Sequence, residues 1–76
     1  MNKNLNSDII VHDTINADQI EDGDQIIVDG EPIEGVTVHD DATDNDAVVV
    51  KGFSWESGDA VEHTLPYDYN VDLWSV

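Results

Sequence analysis

Cysteine is absent from all 76 residues, which excludes disulfide staples and thiolate-bound zinc and leaves the redox compartment unspecified. Arginine is absent too, and lysine occurs twice, as Lys3 and Lys51. A chain so poor in positive charge cannot neutralise phosphates, so direct binding to nucleic acid or to an anionic membrane face is excluded. No apolar run reaches the ~18 residues that a membrane-spanning helix needs. The opening MNKNLNSD has one lysine and no apolar stretch, so no secretory leader is expected there. Glycine-rich phosphate loops, dinucleotide-type glycine patterns and Gly-x-Ser-x-Gly elbows are also missing.

What is present is negative charge. Eighteen acidic residues stand against two lysines, a formal charge of −16 on 8.4 kDa. Thirteen of the eighteen are aspartates, whose short side chains hold a carboxylate near the backbone with less rotamer entropy to lose than glutamate. Repulsion among such charges destabilises a compact state, so a basic partner, a cation or a salty environment is the expected reason for keeping them. The hydrophobic share of 39%, rich in Val and Ile, is too high for a disordered acidic tail. One small domain over residues 8–76 after a flexible N-terminus over 1–7 is the expected organisation, near the lower size limit for an unstapled core.

Helical periodicity is missing throughout. The stretch NADQ at 16–19 suits a single turn, with Asn16 as cap and Gln19 reaching back, and EDGD at 21–24 ends it. The rest reads as short strands between turns. QIIV at 25–28 is followed by Asp29-Gly30, a two-residue hairpin signal, and by a return strand at 31–38 that Gly35 is expected to bend as a bulge. His39 to Asp46 reads as an acidic loop. AVVVKGF at 47–53 is the most apolar strand, with Phe53 expected in the core. AVEHTL at 60–65 puts Val61, His63 and Leu65 on one face, PYDY at 66–69 reads as another single turn, and VDLW at 71–74 is the last strand. DIIV at 8–11 is a candidate edge strand. The expected fold is all-β, a small SH3-like, strongly bent antiparallel barrel of five or six strands with one or two single helical turns. Closure has a physical motive, because a flat sheet this small buries one face and leaves two open edges.

The segment INADQIEDGDQIIVDGEPIEGV and the later ESGDAVEHTL resemble the N-terminal SH3-like barrel of the elongation factor P family and its eukaryotic relatives. The matching residues are Val28, Asp29, Gly30, Glu31 and Pro32, then Ser57, Gly58, Val61, Glu62, Thr64 and Leu65. The resemblance covers about residues 15 to 75 and implies the barrel. In that family the loop between the third and fourth strands carries a modified basic residue that reaches into the ribosome. The corresponding stretch here, Val38 to Asp46, is acidic and has no lysine, so the translation activity is not expected to carry over.

Several chemistries fail on the residues themselves. Calcium loops of the EF-hand type place oxygens at alternate positions with glycine sixth and glutamate twelfth; neither Asp40 nor Asp44 starts such a register. His12, His39 and His63 lie 27 and 24 residues apart, which matches no zinc motif. Acid–base carboxylate pairs need a desolvated member in a pocket, which a small barrel filled by its own side chains does not offer. The expectation is no enzyme, no metal site and no cofactor. Among the aromatics, Trp55 in the turn SWESG is a candidate partner anchor or a packing residue at the barrel end, and Tyr67 and Tyr69 are expected to be half-buried.

The leading functional expectation follows from charge density. A compact chain of this length is about 30 Å across. B-DNA carries about one negative charge per 1.7 Å of axis, hence roughly 17 over that span, close to the −16 here. The expectation is a nucleic-acid mimic of viral type, acting in the host cytoplasm. It would occupy the nucleic-acid site of a basic host protein such as a nucleoid protein, polymerase or nuclease. The residues expected to meet that partner are Asp22, Asp24, Glu31, Glu34, Asp40, Asp41, Asp44, Asp46, Trp55, Glu56, Asp59 and Glu62. The rival readings are a barrel subunit of a virion or larger assembly, a homodimer included, and a salt-adapted domain whose acidity has no specific partner.

Overall fold

In the computed structural model, residues 9–76 are described, so the expectation of a flexible segment at 1–7 lies outside the described residues. The chain forms strands β1 (Ile10–Asn16), β2 (Ile26–Val28), β3 (Glu31–Asp40), β4 (Ala47–Ser54), β5 (Ala60–Pro66) and β6 (Asn70–Ser75), with one 3-10 turn at Ala17–Gln19. All neighbours are antiparallel, in the order β1-β6-β2-β3-β4-β5. The class is therefore the all-β, bent antiparallel one that the turn chemistry implies.

The local signals explain most boundaries. Asn16 donates its backbone N–H to Gln19 Oε1 at 3.0 Å, fixing the single turn. Asp29 and Gly30 have φ of 51° and 79°, the two positive values that a type I′ hairpin needs. The β3–β4 register shifts between Glu34 and Thr37, and Gly35 at that point has φ of 63°. This is the bulge, and it lets β3 wrap from one side of the core to the other. On β4 the inward side chain at the bulge is missing for a second reason. A Cβ on Gly52 would lie 2.7 Å from Ile33 Cγ2 and 2.8 Å from the Glu34 carbonyl oxygen, so β3 and β4 close up there only over glycine.

The core is built from the inward faces, with Ile26, Val28, Ile33, Val36, Val48, Val50, Leu65 and Val71 joined by Ala17 and Ile20 from the turn region. Each such aliphatic side chain contributes about 1.5–3 kcal/mol when taken out of water. The ladder does not close between β1 and β5. The 3-10 turn packs into one end of that seam, beside Tyr67 and Tyr69. Ala17 is fully buried, the turn packs on β4 and β5, and the Ala17 and Asp18 N–H groups donate to the carbonyls of Tyr69 and Tyr67 at 2.8 and 3.2 Å.

Four expectations are corrected. The first strand begins at Ile10 and runs to Asn16, paired with β6 around a bulge between Val11 and Asp13, so of the expected 8–11 strand Ile10 and Val11 form its start and Asp8 lies outside the described residues. His39 and Asp40 belong to β3, and the loop is the shorter 41–46 segment, because both residues pair with Val49 and Val48. The 66–69 segment is a β-turn, with the Tyr69 N–H donating to the Pro66 carbonyl at 3.0 Å, so the described residues hold a single 3-10 turn. Phe53 is 51% exposed, not core. It shares the phase of Lys51 on β4 and its ring lies over Gly35, 3.5 Å from where a Cβ would be. An aromatic ring covering a cross-strand glycine accounts for that placement.

Candidate functional site

The candidate site is the end of the sheet where β3 hands over to β4. Three segments meet there: the 41–46 loop, the 66–69 turn and the 3-10 turn. The Tyr67 N–H donates to the Asp46 carbonyl at 2.8 Å and binds the turn to the loop. Both tyrosines of the turn then reach aspartates. Tyr67 donates its hydroxyl to Asp40 Oδ1 and Tyr69 donates to Asp29 Oδ1, each at 3.0 Å. The loop aspartates are held from within. Asp41 Oδ1 accepts from the Thr43 N–H at 3.0 Å and the Thr43 hydroxyl at 3.1 Å, while Asp44 Oδ1 accepts from the Asp46 N–H at 2.9 Å. These are Asx-type contacts, which position a short carboxylate against nearby backbone.

The result is a group of aspartates fixed by neutral donors. Asp18, Asp40 and Asp46 all act on Tyr67, and Asp68 follows it in the turn. The hydrogen bond to Asp40 holds the Tyr67 phenol above its ordinary pKa. Partial burial and the negative charges of Asp40, Asp46 and Asp18 push in the same direction. Tyr69 is raised as well, first by its hydrogen bond to Asp29, then by burial and the Asp29 charge. Lys51, the one Lys or Arg among the described residues, stands four positions along β4 from Ala47, about 13 Å up the strand. Neutral hydrogen bonds therefore order these carboxylates without cancelling their charge.

Of the residues expected from sequence to meet a partner, four gather here: Asp40, Asp41, Asp44 and Asp46. The others are placed elsewhere. Asp22 Oδ1 accepts the Val38 N–H and Asp24 Oδ2 accepts the Glu21 N–H, both at 2.9 Å, so the first fastens the 21–24 turn to β3 and the second closes the turn on itself. Glu31 is half-buried at the start of β3 and pairs with Val28. Glu34 lies opposite Phe53, and Glu62 opposite Lys51, on the outer face. Glu56 and Asp59 are exposed in the turn after β4. Trp55 packs rather than projects. Its ring meets Trp74 edge-on, with centroids 5.3 Å apart and planes at 61°, and its backbone N–H donates to the Pro32 carbonyl at 2.9 Å. Sequence reasoning missed Asp18, Asp29 and Asp68 as members of the group. The available signal was the Tyr-Asp-Tyr spacing, which gives a turn two phenols able to reach two carboxylates.

The overall dimensions revise the charge estimate. The extents are 44 × 24 × 19 Å, longer in one direction than a 30 Å sphere. Duplex DNA along 44 Å would carry about 26 charges, so −16 falls short of it over the whole length. Any match to phosphate density is local, at the aspartate-rich end. No group of acidic residues and histidines among the described residues has the arrangement of a metal site.

Comparison with known proteins agrees with this architecture. No family model and no curated protein matches the sequence. Among solved structures, a translation initiation factor eif-5a family protein from Naegleria fowleri ATCC 30863 superposes with a TM-score of 0.56 and 16% identity. The superposition covers 86% of this chain and 47% of that one, so the chain spans about half the length of the protein it matches. That relation supports the SH3-like type of β fold, and at this identity it speaks to fold alone.

Proposed function

We propose that the chain is a non-enzymatic acidic binding module that occupies the nucleic-acid site of a basic protein, with its aspartate-rich end in place of phosphates. The reading extends to an inhibitor of viral type acting in a host cytoplasm on a nucleoid protein, polymerase or nuclease. The observation that carries it is the fixing of Asp29, Asp40, Asp41 and Asp44 by neutral donors. A ligand made of fixed charges loses little side-chain entropy on binding and gains from counterion release, as DNA does. A translation role does not follow from the eif-5a likeness, since the 41–46 loop has no cation to offer to RNA.

The test is competition between the chain and labelled duplex DNA for such a basic protein, read by fluorescence anisotropy over a range of salt. Displacement should weaken steeply with salt. Replacing Asp40, Asp44 and Asp46 together by Asn should raise the concentration required about tenfold or more, and Glu56→Gln with Asp59→Asn should change it about twofold or less. Absent or salt-independent displacement overturns the reading.

A second reading is favoured by one observation, the spread of the remaining acidic residues over the 21–24 turn, the outer face and the turn after β4. Adaptation to high salt would distribute them in that way. A chain that folds only above about molar salt would support this alternative; one that folds at low salt, below about 0.1 M, would remove it.

A further inference from the structure

The outer face of β3, β4 and β5 differs in kind from the aspartate-rich end. Ladder register sets two rows across it: Thr37, Lys51 and Glu62, then Glu34, Phe53 and Ala60. Around Phe53 lies a shallow depression of about 450 Å³ lined by Gly35, Thr37, Lys51, Phe53, Ala60 and Glu62. The depression is bordered by β5, the last strand of the sheet, whose far side has no ladder partner among the described residues. Its outward side chains Ala60, Glu62, Thr64 and Pro66 are all exposed.

Edge strands are commonly protected against pairing by lysine, proline or a bulge. Between Ala60 and Leu65 strand β5 has none of these, and its charged residue is Glu62, with Asp59 just before it. Charge instead decides what can pair. A second copy brings another −16 and its own Glu62, so self-pairing along this edge is opposed. A strand bearing Lys or Arg meets the opposite situation.

We infer that the free edge of β5 and the depression beside it dock an extended segment of a basic partner, added as a further strand. Side-chain size sets the pattern that fits. Ala60 is small and leaves room for a large apolar side chain to cross it onto the exposed ring of Phe53. Two positions along the added strand, on the same face, the neighbour is Glu62, which has Lys51 beside it on β4 and takes a Lys or Arg from its other, open side. The preferred segment therefore alternates, with an apolar residue and a basic residue two apart, main-chain hydrogen bonds giving affinity and these two contacts giving choice. Phe53 lies six positions from Ala47, about 20 Å along β4, so this surface is separate from the aspartate-rich end.

The experiment is NMR titration of the whole chain with short synthetic peptides. One alternates Lys and Val with a single Phe two residues from a Lys. A second has Glu for every Lys, and a third has Ser for Phe. The first should shift the amides of residues 60–66 and 51–53, the other two should bind about tenfold more weakly or worse, and Phe53→Ser or Glu62→Lys should each weaken the first about tenfold. Phe53→Leu, which keeps an apolar cover over Gly35, should retain most of the binding and controls for misfolding of the serine variant. Replacing Asp40, Asp44 and Asp46 together by Asn should weaken it about threefold or less, through the long-range field alone. Equal binding of the Glu peptide, no binding up to about millimolar, or shifts confined to 40–46 would overturn the inference. The last of these would leave the aspartate-rich end standing as a site. Shifts along β5 that grow with protein concentration alone would overturn it in favour of self-pairing.

Discussion

The two ends of β4 stop the same buried strand in opposite ways. At Ser54 the chain turns beneath indoles. Trp74 is 3% exposed, packs edge-on against Trp55, and donates its Nε1–H to the carbonyls of Ile26 and Ile33 at 3.0 and 3.3 Å. At Ala47 the chain leaves into a polar loop whose order comes from aspartates accepting nearby N–H and O–H groups. The first end is secured by desolvated contacts between three strands. The second is secured by local contacts that each span a few residues, plus the two tyrosine hydroxyls and the Tyr67 N–H bond to the Asp46 carbonyl. Shape and charge display are thus assigned to different ends, and each can be altered with little effect on the other.

The largest effect should come from breaking the indole end. Trp74→Ala removes a buried ring and leaves two carbonyls short of a donor, a cost of about 3–5 kcal/mol. A domain of this size has only about 4–11 kcal/mol of total stability. Urea denaturation should therefore find the variant largely unfolded or close to it, whereas Trp74→Phe should retain a cooperative transition. Next in size is Gly52→Ala, whose methyl group meets the Glu34 carbonyl oxygen and must displace backbone, for about 1–3 kcal/mol. Both losses should be insensitive to salt. A Trp74→Ala chain that melts with the parent would mean that the indole end does not hold the fold.

These two positions also mark where the sequence could be read and where it could not. Asp29-Gly30, the Gly35 bulge and the Asn16–Gln19 turn were legible because each depends on the backbone preferences of one or two residues, which the surroundings do not override. The apolar alternation of Val61, His63 and Leu65 was legible for a similar reason. Phe53 was not, because apolar character alone does not say which face of a strand a residue takes. Here the phase is set by Val48, Val50 and Gly52, and a glycine in the inward series conceals it. The role of Trp55 depended on Trp74, nineteen residues later, which is a tertiary fact. For the candidate site, the loop aspartates were visible as a run of charge. Asp18 and Asp29 come to it through contacts across the fold, and only the tyrosines could have pointed to them.

Smaller effects belong to the charged end. Asparagine keeps the side-chain carbonyl that accepts from Thr43 or Asp46, so neutralising Asp41 and Asp44 removes repulsion while preserving the turn contacts. The expected result is a gain of about 0.5–1 kcal/mol at low ionic strength that shrinks toward zero as salt rises and screening takes over. Thermal melts of parent and variant at low and high salt measure it. If the variant is less stable at low salt, the loop carboxylates are stabilising groups and the separation between the two ends fails.

The smallest effect isolates the tyrosines. Both phenols have folded-state pKa values raised above their unfolded values, by hydrogen bonds to Asp40 and Asp29 first. Above the unfolded value near 10 the unfolded chain loses these protons while the folded chain still holds them, so the folded state binds more protons than the unfolded one and stability falls as pH rises. The contribution is complete below about pH 10 and is lost as pH climbs through the folded values. Stability should therefore be level in this respect at neutral pH and decline in strongly alkaline solution. Replacing Tyr67 and Tyr69 by Phe removes the titration and should flatten that decline while leaving the indole end unchanged, as judged by near-ultraviolet circular dichroism of the Trp55–Trp74 pair. An alkaline decline just as steep without the two hydroxyls would show that Tyr67 and Tyr69 do not fasten the 66–69 turn to Asp40 and Asp29. The aspartate-rich end would then depend on its loop contacts alone.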